Sequence, residues 1–190
     1  MNLFTTFIGF VIFQRITELI IARKNERRMK REGALEFGQA HYPWMVLMHT
    51  CFFLALILEV WALKRGPSPL WPILLGIFIL TQVGRIWALS SLGKYWNTKI
   101  IVLPGANIVR KGPYRFIRHP NYAIVTIELL VIPLLFEAYI TAAVFAVLNA
   151  IILSVRIPAE EEALRKLAEY DKTNGRPKRF LPQMLKKIDK

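Results

Sequence analysis

The residues whose types and spacing could do chemistry fall in two groups. The first is Gly112 to Tyr122, G-P-Y-R-F-I-R-H-P-N-Y, and the second is Arg156 with Glu160 four residues on. Pro120 suits the first turn of a helix, where its missing N–H costs nothing, and His119 then falls at the cap. The free backbone N–H groups of such an end, with the helix dipole, favour a carboxylate or phosphate. Tyr114, Arg118 and Tyr122 surround that end with rings and charge. The same residues also fit a basic, aromatic belt at a membrane interface. Arg156 and Glu160 share a face if their helix continues, although Pro158 between them predicts a kink or a restart.

The elements that must position these groups are membrane helices. Of 190 residues, 54% are hydrophobic, yet the formal net charge is +13. The basic residues fall between long apolar runs, which points to anionic lipid headgroups and away from nucleic acid as a partner. The single cysteine, Cys51, lies in an apolar run and allows no internal disulfide. The N-terminal apolar run lacks a basic leader and a small-residue cleavage site, so a retained helix is expected.

Spans are expected at 3 to 22, 43 to 63 and about 70 to 92, with a charged loop at 23 to 42 and a non-spanning segment at 93 to 119. The 36 mostly apolar residues from 121 to 156 exceed one span and read as a helical hairpin with a turn near Pro133, Glu137 and Tyr139. A further helix is expected over 159 to 170, ended by Asn174-Gly175 and Pro177. The fold class is therefore all-α, a multi-pass membrane protein with five transmembrane helices, including that C-terminal hairpin, and short cytosolic helices. It forms one domain, 1 to 92 carrying three spans and 93 to 190 the remaining functional region. This topology puts 22 of the 26 basic residues on one side, the exceptions being Arg15, Arg85, Lys64 and Arg65. The positive-inside rule then places the C-terminus in the cytosol and the N-terminus outside.

Arg15, Glu18, His49, Arg85, Glu128 and Asn149 all fall about 7 to 13 Å from the cytosolic ends of their spans by helical rise. Intramembrane charge is costly unless paired or facing a cavity, so a polar floor beneath an inner-leaflet pocket is expected, with Arg15–Glu18 and Arg85–Glu128 as its pairs. Structural cross-linking of helices explains the same residues equally well. Glu59 and Glu137 lie near the outer ends and are expected to reach water. No structural zinc spacing and no phosphate-binding glycine loop is present, and residue chemistry alone stops short of a reaction.

Over about 106 to 182 the chain resembles the isoprenylcysteine carboxyl methyltransferase family. The match rests on the Gly112 to Tyr122 motif, the following hairpin, R-x-x-x-E-E-x-x-L at Arg156 to Leu164, and P-K-R-F-L-P at 177 to 182. The resemblance implies an integral membrane enzyme using S-adenosyl-L-methionine. It implies cofactor contacts at Asn107, Ile108, Val109, Tyr114, His119, Pro120, Asn121, Tyr122 and Glu160, with Arg156 serving the substrate. The implied acceptor is lipophilic, an isoprenylcysteine carboxylate or a long-chain phenolic or pyrone lipid. A phospholipid N-methyltransferase and a nicotinamide-dependent membrane reductase are the alternatives. Two positions depart from the family pattern. Ile124 stands where a glycine is frequent, which would narrow helix packing or a tunnel, and Ala106 stands where eukaryotic members have histidine.

Overall fold

A computed structural model describes residues 3–167. Its order is α1 (Leu3–Arg31), β1 (Leu35–Phe37), α2 (Tyr42–Ala62), α3 (Trp71–Leu92), β2 (Ile100–Val102), α4 (Pro120–Leu134) and α5 (Tyr139–Leu167), with short 3-10 turns at Gly93–Tyr95 and Gly112–Arg115. Four helices, α1, α2, α5 and the run Trp71–Tyr95, are long and apolar enough to cross a membrane. At 15 residues, α4 reaches only about 22 Å at 1.5 Å per residue, short of a hydrocarbon core of about 30 Å. The fold is thus an all-helical, multi-pass membrane protein, with four helices of spanning length where five spans were expected. Outward-facing Leu54, Leu58, Ile73, Leu80, Ile86 and Val147 are more than half exposed, as lipid-facing side chains are.

Two boundaries differ from expectation. The first helix runs past residue 22 to Arg31, because its charged end is made of good helix formers cross-linked in register. Glu26 pairs with Lys30 at 2.7 Å and Arg28 with Glu32 at 3.1 Å, and Gly33 at φ +90° ends it. The last helix passes through Pro158 without restarting and reaches Leu167. α4 and α5, of 15 and 29 residues, are joined by the four residues 135–138 and packed against each other, and α5 runs on through 159–167, where a separate helix was expected. The expected helix end at 174–177 and the tail motif at 177–182 lie outside the described residues.

The apolar core gathers toward the start of α1 and the α4–α5 connection. Phe4 and Phe7 of α1 meet Phe136 with ring centroids 4.9 and 5.5 Å apart, and Phe52 of α2 meets Phe145 of α5 at 5.4 Å. On the opposite side, β1 and β2 pair antiparallel, Glu36 opposite Ile101. Lys30 and Lys99 each bind both Glu26 and Glu36, at 2.6 to 3.2 Å, fastening the end of α1 to this small sheet.

Glu59 departs from expectation. It is buried and accepts hydrogen bonds from Ile140 N (3.1 Å), Thr141 N (2.7 Å) and Thr141 Oγ1 (2.6 Å). The first N–H groups of α5 have no partner within their own helix, and a carboxylate at that end also meets the positive end of its dipole. Glu59 of α2 therefore caps α5 from across the bundle.

Candidate active site

The segment between α3 and α4 is shaped by one glycine. Gly112 has φ +55°, and a Cβ placed on it would stand 2.0 Å from Ser91 Oγ and 2.9 Å from Trp87 Nε1. Only glycine lets the chain run this close to the end of α3. The 3-10 turn that follows delivers Tyr114, and α4 then begins at Pro120 with His119 as N-cap, as expected. The His119 side chain makes no capping hydrogen bond to this end.

Above it, α5 presents Arg156, Glu160 and Glu161. Tyr122 binds two of them at once: its hydroxyl donates to Glu160 and accepts from Arg156 Nε at 2.8 Å. Arg156 Nη2 also donates to the Thr98 carbonyl, so the guanidinium is fixed at two of its nitrogens. Glu161 receives Arg118 Nη1 and faces His119 Nε2, both at 3.3 Å, while His119 stacks on Tyr122. The two polar clusters thus meet, with Glu161 as a member the sequence reading did not single out. Burial pushes the Tyr114 phenol well above its ordinary pKa, and the Glu160 charge adds to it, so Tyr114 remains a neutral donor.

These groups form the polar end of a cavity of about 530 Å³. Tyr114, Arg118, His119, Asn121, Tyr122, Arg156 and Glu160 line it, and so do the apolar Phe53, Val125, Leu129, Ile132 and Ile152. Pro120 is buried at the start of α4. Asn107, Ile108 and Val109 are not in this cavity. They line an open depression of about 600 Å³ with Ser91, Leu92 and Tyr95, and Leu92 borders both spaces.

Arg15, Glu18, His49, Arg85, Glu128 and Asn149, the residues expected to share one depth, all line the same cavity. Arg15 meets Glu18 at 2.7 Å and Arg85 meets Glu128, the two expected pairs. Cross-pairing joins them, Arg15 to Glu128 at 2.6 Å and Arg85 to Glu18 at 3.3 Å. Gln82, not anticipated, adds a bond to Glu128 at 2.7 Å, and Arg85 reaches Asn121 Oδ1 at 3.4 Å. Counted around the wall, Arg15, Arg23, Arg85, Lys99, Arg118 and Arg156 face Glu18, Glu128 and Glu160. The excess of cations favours anionic or electron-rich oxygen inside.

Ile124 does not narrow this space, contrary to expectation. It points at Gly84 of α3, where an added Cβ would lie 3.5 Å from Ile124 Cδ1, and it is absent from the cavity wall.

Among the described residues no group of three or more His, Cys, Asp or Glu side chains could hold a metal ion. The model of the isoprenylcysteine carboxyl methyltransferase (ICMT) family matches residues 74–166, which run from α3 through most of α5. An uncharacterized protein of Bacillus subtilis, YpbQ, is 49% identical over 164 residues, covering 86% of this chain and 98% of that protein. An uncharacterized protein of Haemophilus influenzae is 30% identical over 154 residues, covering 80% and 90%. No solved structure matches. The polar motif on both sides of one intramembrane cavity and the match that spans it lead to one assignment: the chain belongs to the isoprenylcysteine carboxyl methyltransferase family.

Proposed function

We propose that the protein is an O-methyltransferase that takes a methyl group from S-adenosyl-L-methionine and delivers it to a lipophilic acceptor held in the membrane. The observation that carries this reading is the Arg156–Tyr122–Glu160 arrangement in a cavity whose wall also carries the apolar Phe53, Val125, Leu129, Ile132 and Ile152. An amphipathic ligand with one reactive polar end fits such a space, and its volume lies in the usual range for small-molecule sites.

The residues suit the cofactor's chemistry. Its carboxylate matches Arg118 and the N-terminus of α4, whose N-cap side chain makes no capping bond, and its cationic side matches Glu160 on the cavity wall. Gly112 keeps the chain close to α3, and Asn107, Ile108 and Val109 line the adjoining depression, where part of a large ligand can extend. When bound, the cofactor supplies an electrophilic methyl group on sulfur.

The protein's own part is orientation and exclusion of water, and oriented reactants reach effective molarities of about 10⁵ to 10⁸ M. Arg156, with Nε and Nη2 engaged by Tyr122 and Thr98, has Nη1 without a hydrogen-bond partner among the described residues and can hold the acceptor oxygen. Tyr122 fixes the guanidinium and Glu160 relative to each other. The apolar wall of α4 and α5 holds the lipid tail. In this reading α4 is a short fifth crossing, and the basic side faces the cytosol, with the N-terminus outside.

Calorimetric titration of the detergent-purified protein with S-adenosylhomocysteine tests the reading. Saturable binding is expected in the wild type, lost in Tyr114→Ala and Glu160→Ala and kept in Arg156→Ala, which loses turnover by about 10²-fold or more. Absence of binding to folded wild type overturns the proposal and favours a nicotinamide-dependent reductase. Product analysis after turnover separates oxygen from phospholipid nitrogen as the methylated atom.

A further inference from the structure

Resting on the methyl-transfer reading and on the phenolic or pyrone acceptor that the resemblance implies, we propose that His49 is the proton acceptor when such a neutral hydroxyl is methylated. His49 lies on α2, in the wall facing the cavity. Its Nδ1 is 2.8 Å from the Met45 carbonyl oxygen. A carbonyl can only accept, so Nδ1 carries the proton and a neutral ring then presents an unprotonated Nε2. Among the described residues Nε2 has no hydrogen-bond partner.

The other groups of the wall that could take a proton are engaged. Glu18 and Glu128 are bound by Arg15 and Arg85, Glu160 by Tyr122, and His119 lies against Glu161. A phenol has a reference pKa of about 10, so at neutral pH it arrives protonated and needs a base. A carboxylate arrives ionised and needs none. A histidine held in one tautomer with its basic nitrogen unengaged has no task in methylating a carboxylate. Arg15, Arg85 and Arg156 line the same cavity as His49, and their guanidinium groups favour oxygen charge developing inside it.

The hydroxyl proton passes to His49 Nε2 as the oxygen attacks the methyl carbon; the O–C bond forms, the C–S bond breaks, and its electron pair remains on the sulfur of the departing thioether. The imidazolium then gives its proton to water.

The test compares the wild type with His49→Ala and His49→Gln on two acceptors, a pentadecyl phenol and N-acetyl-S-farnesylcysteine, with S-adenosylhomocysteine binding followed by calorimetry. Expected is a fall of about 10²- to 10⁴-fold in phenol methylation in both variants, the range for loss of a general base, with cofactor-product binding unchanged. Any turnover of the cysteine carboxylate should fall by much less. In protein labelled with ¹⁵N-histidine, adding the phenol with S-adenosylhomocysteine should shift the Nε2 resonance that is absent from His49→Gln. Phenol turnover within about threefold of wild type in the variants, equal losses on both acceptors, loss of S-adenosylhomocysteine binding in the variants, or an unmoved resonance each overturns the role of His49. Failure of the wild type to bind S-adenosylhomocysteine instead overturns the underlying methyl-transfer reading.

Discussion

Replacing Glu128 by glutamine tests whether the intramembrane ion-pair cluster is a balanced, desolvated unit. Glu128 is 3% exposed and binds both Arg15 and Arg85, with Gln82 a further donor. The wild-type cluster holds two guanidiniums and two carboxylates. The glutamine keeps the volume and removes one negative charge, leaving two cations on Glu18 alone. Breaking a buried pair by removing one partner costs about 3–5 kcal/mol. A direct estimate agrees, since unit charges about 4 Å apart at an effective dielectric near 20 interact by about 4 kcal/mol. The double replacement Arg85→Met with Glu128→Leu restores neutrality and leaves the Arg15–Glu18 pair intact, so it should come within about 1–2 kcal/mol of wild type. Unfolding in mixed micelles, followed by tryptophan fluorescence as the denaturing detergent fraction rises, measures both. A single variant within about 1 kcal/mol of wild type refutes the reasoning, since water would then already screen the cluster, and so does a double variant less stable than the single.

Three further outcomes are expected. Gly112→Ala forces a Cβ onto Ser91 and Trp87 at a left-handed backbone position, so it should destabilise the loop by about 1–3 kcal/mol and weaken S-adenosylhomocysteine binding in calorimetry. Glu59→Gln leaves the N–H groups of Ile140 and Thr141 poorly capped and should lower stability by about 1–2 kcal/mol in the same unfolding assay, with ligand binding unaltered. The sheet beside α1 should loosen in acid. Hydrogen bonding to Lys30, aided by Lys99, holds Glu36 below its ordinary value of 4.5, so its contribution is complete above that value and is lost as the pH falls through the lower folded value. Bonding to Glu26 raises Lys99 above 10.5, so that side of the cluster weakens only in strong alkali. Amide exchange at Ile101 and Val102, corrected for the intrinsic pH effect, should accelerate at about pH 3.5 relative to pH 7 and be steady between about pH 5 and 9.

What was legible in the sequence depended on one coordinate at a time. Depth along a helix follows from residue counting, and that sufficed to gather Arg15, Glu18, His49, Arg85, Glu128 and Asn149 at one level and to name two of their pairs. Rotation about each helix axis does not follow from counting, and the cross-pairs Arg15–Glu128 and Arg85–Glu18 depend on it. Glu160 and Glu161 are separated by about 100° of helix rotation. Which of them meets Tyr122 and which meets Arg118 and His119 therefore waits on how α4 and α5 pack. The start of α4 was readable because proline at the first turn acts locally. Pro158 misled, because its local effect was overridden by helix continuing on both sides and packing against β2. Glu59 misled for the opposite reason: its partners lie about 80 residues away, and nothing near it in sequence signals an uncapped helix end.

Ile124 and Gly84 carry that lesson to the site. A glycine on α4 and a bulky residue on α3 would give the same close approach as the arrangement found, with Gly84 on α3 and Ile124 on α4. What packing conserves is the summed volume across the interface, because interiors are filled to nearly constant density. A missing family glycine on one helix therefore says nothing about the cavity until the facing residue is known. Here the facing residue absorbs the larger side chain, and α4 turns Asn121, Tyr122, Val125, Glu128, Leu129 and Ile132 to the cavity instead. On the methyl-transfer proposal, the shape that would select an acceptor is set by these residues together with His49 and Phe53 of α2 and Ile152 of α5. Acceptor specificity should then be sought along that wall rather than at the α3–α4 contact.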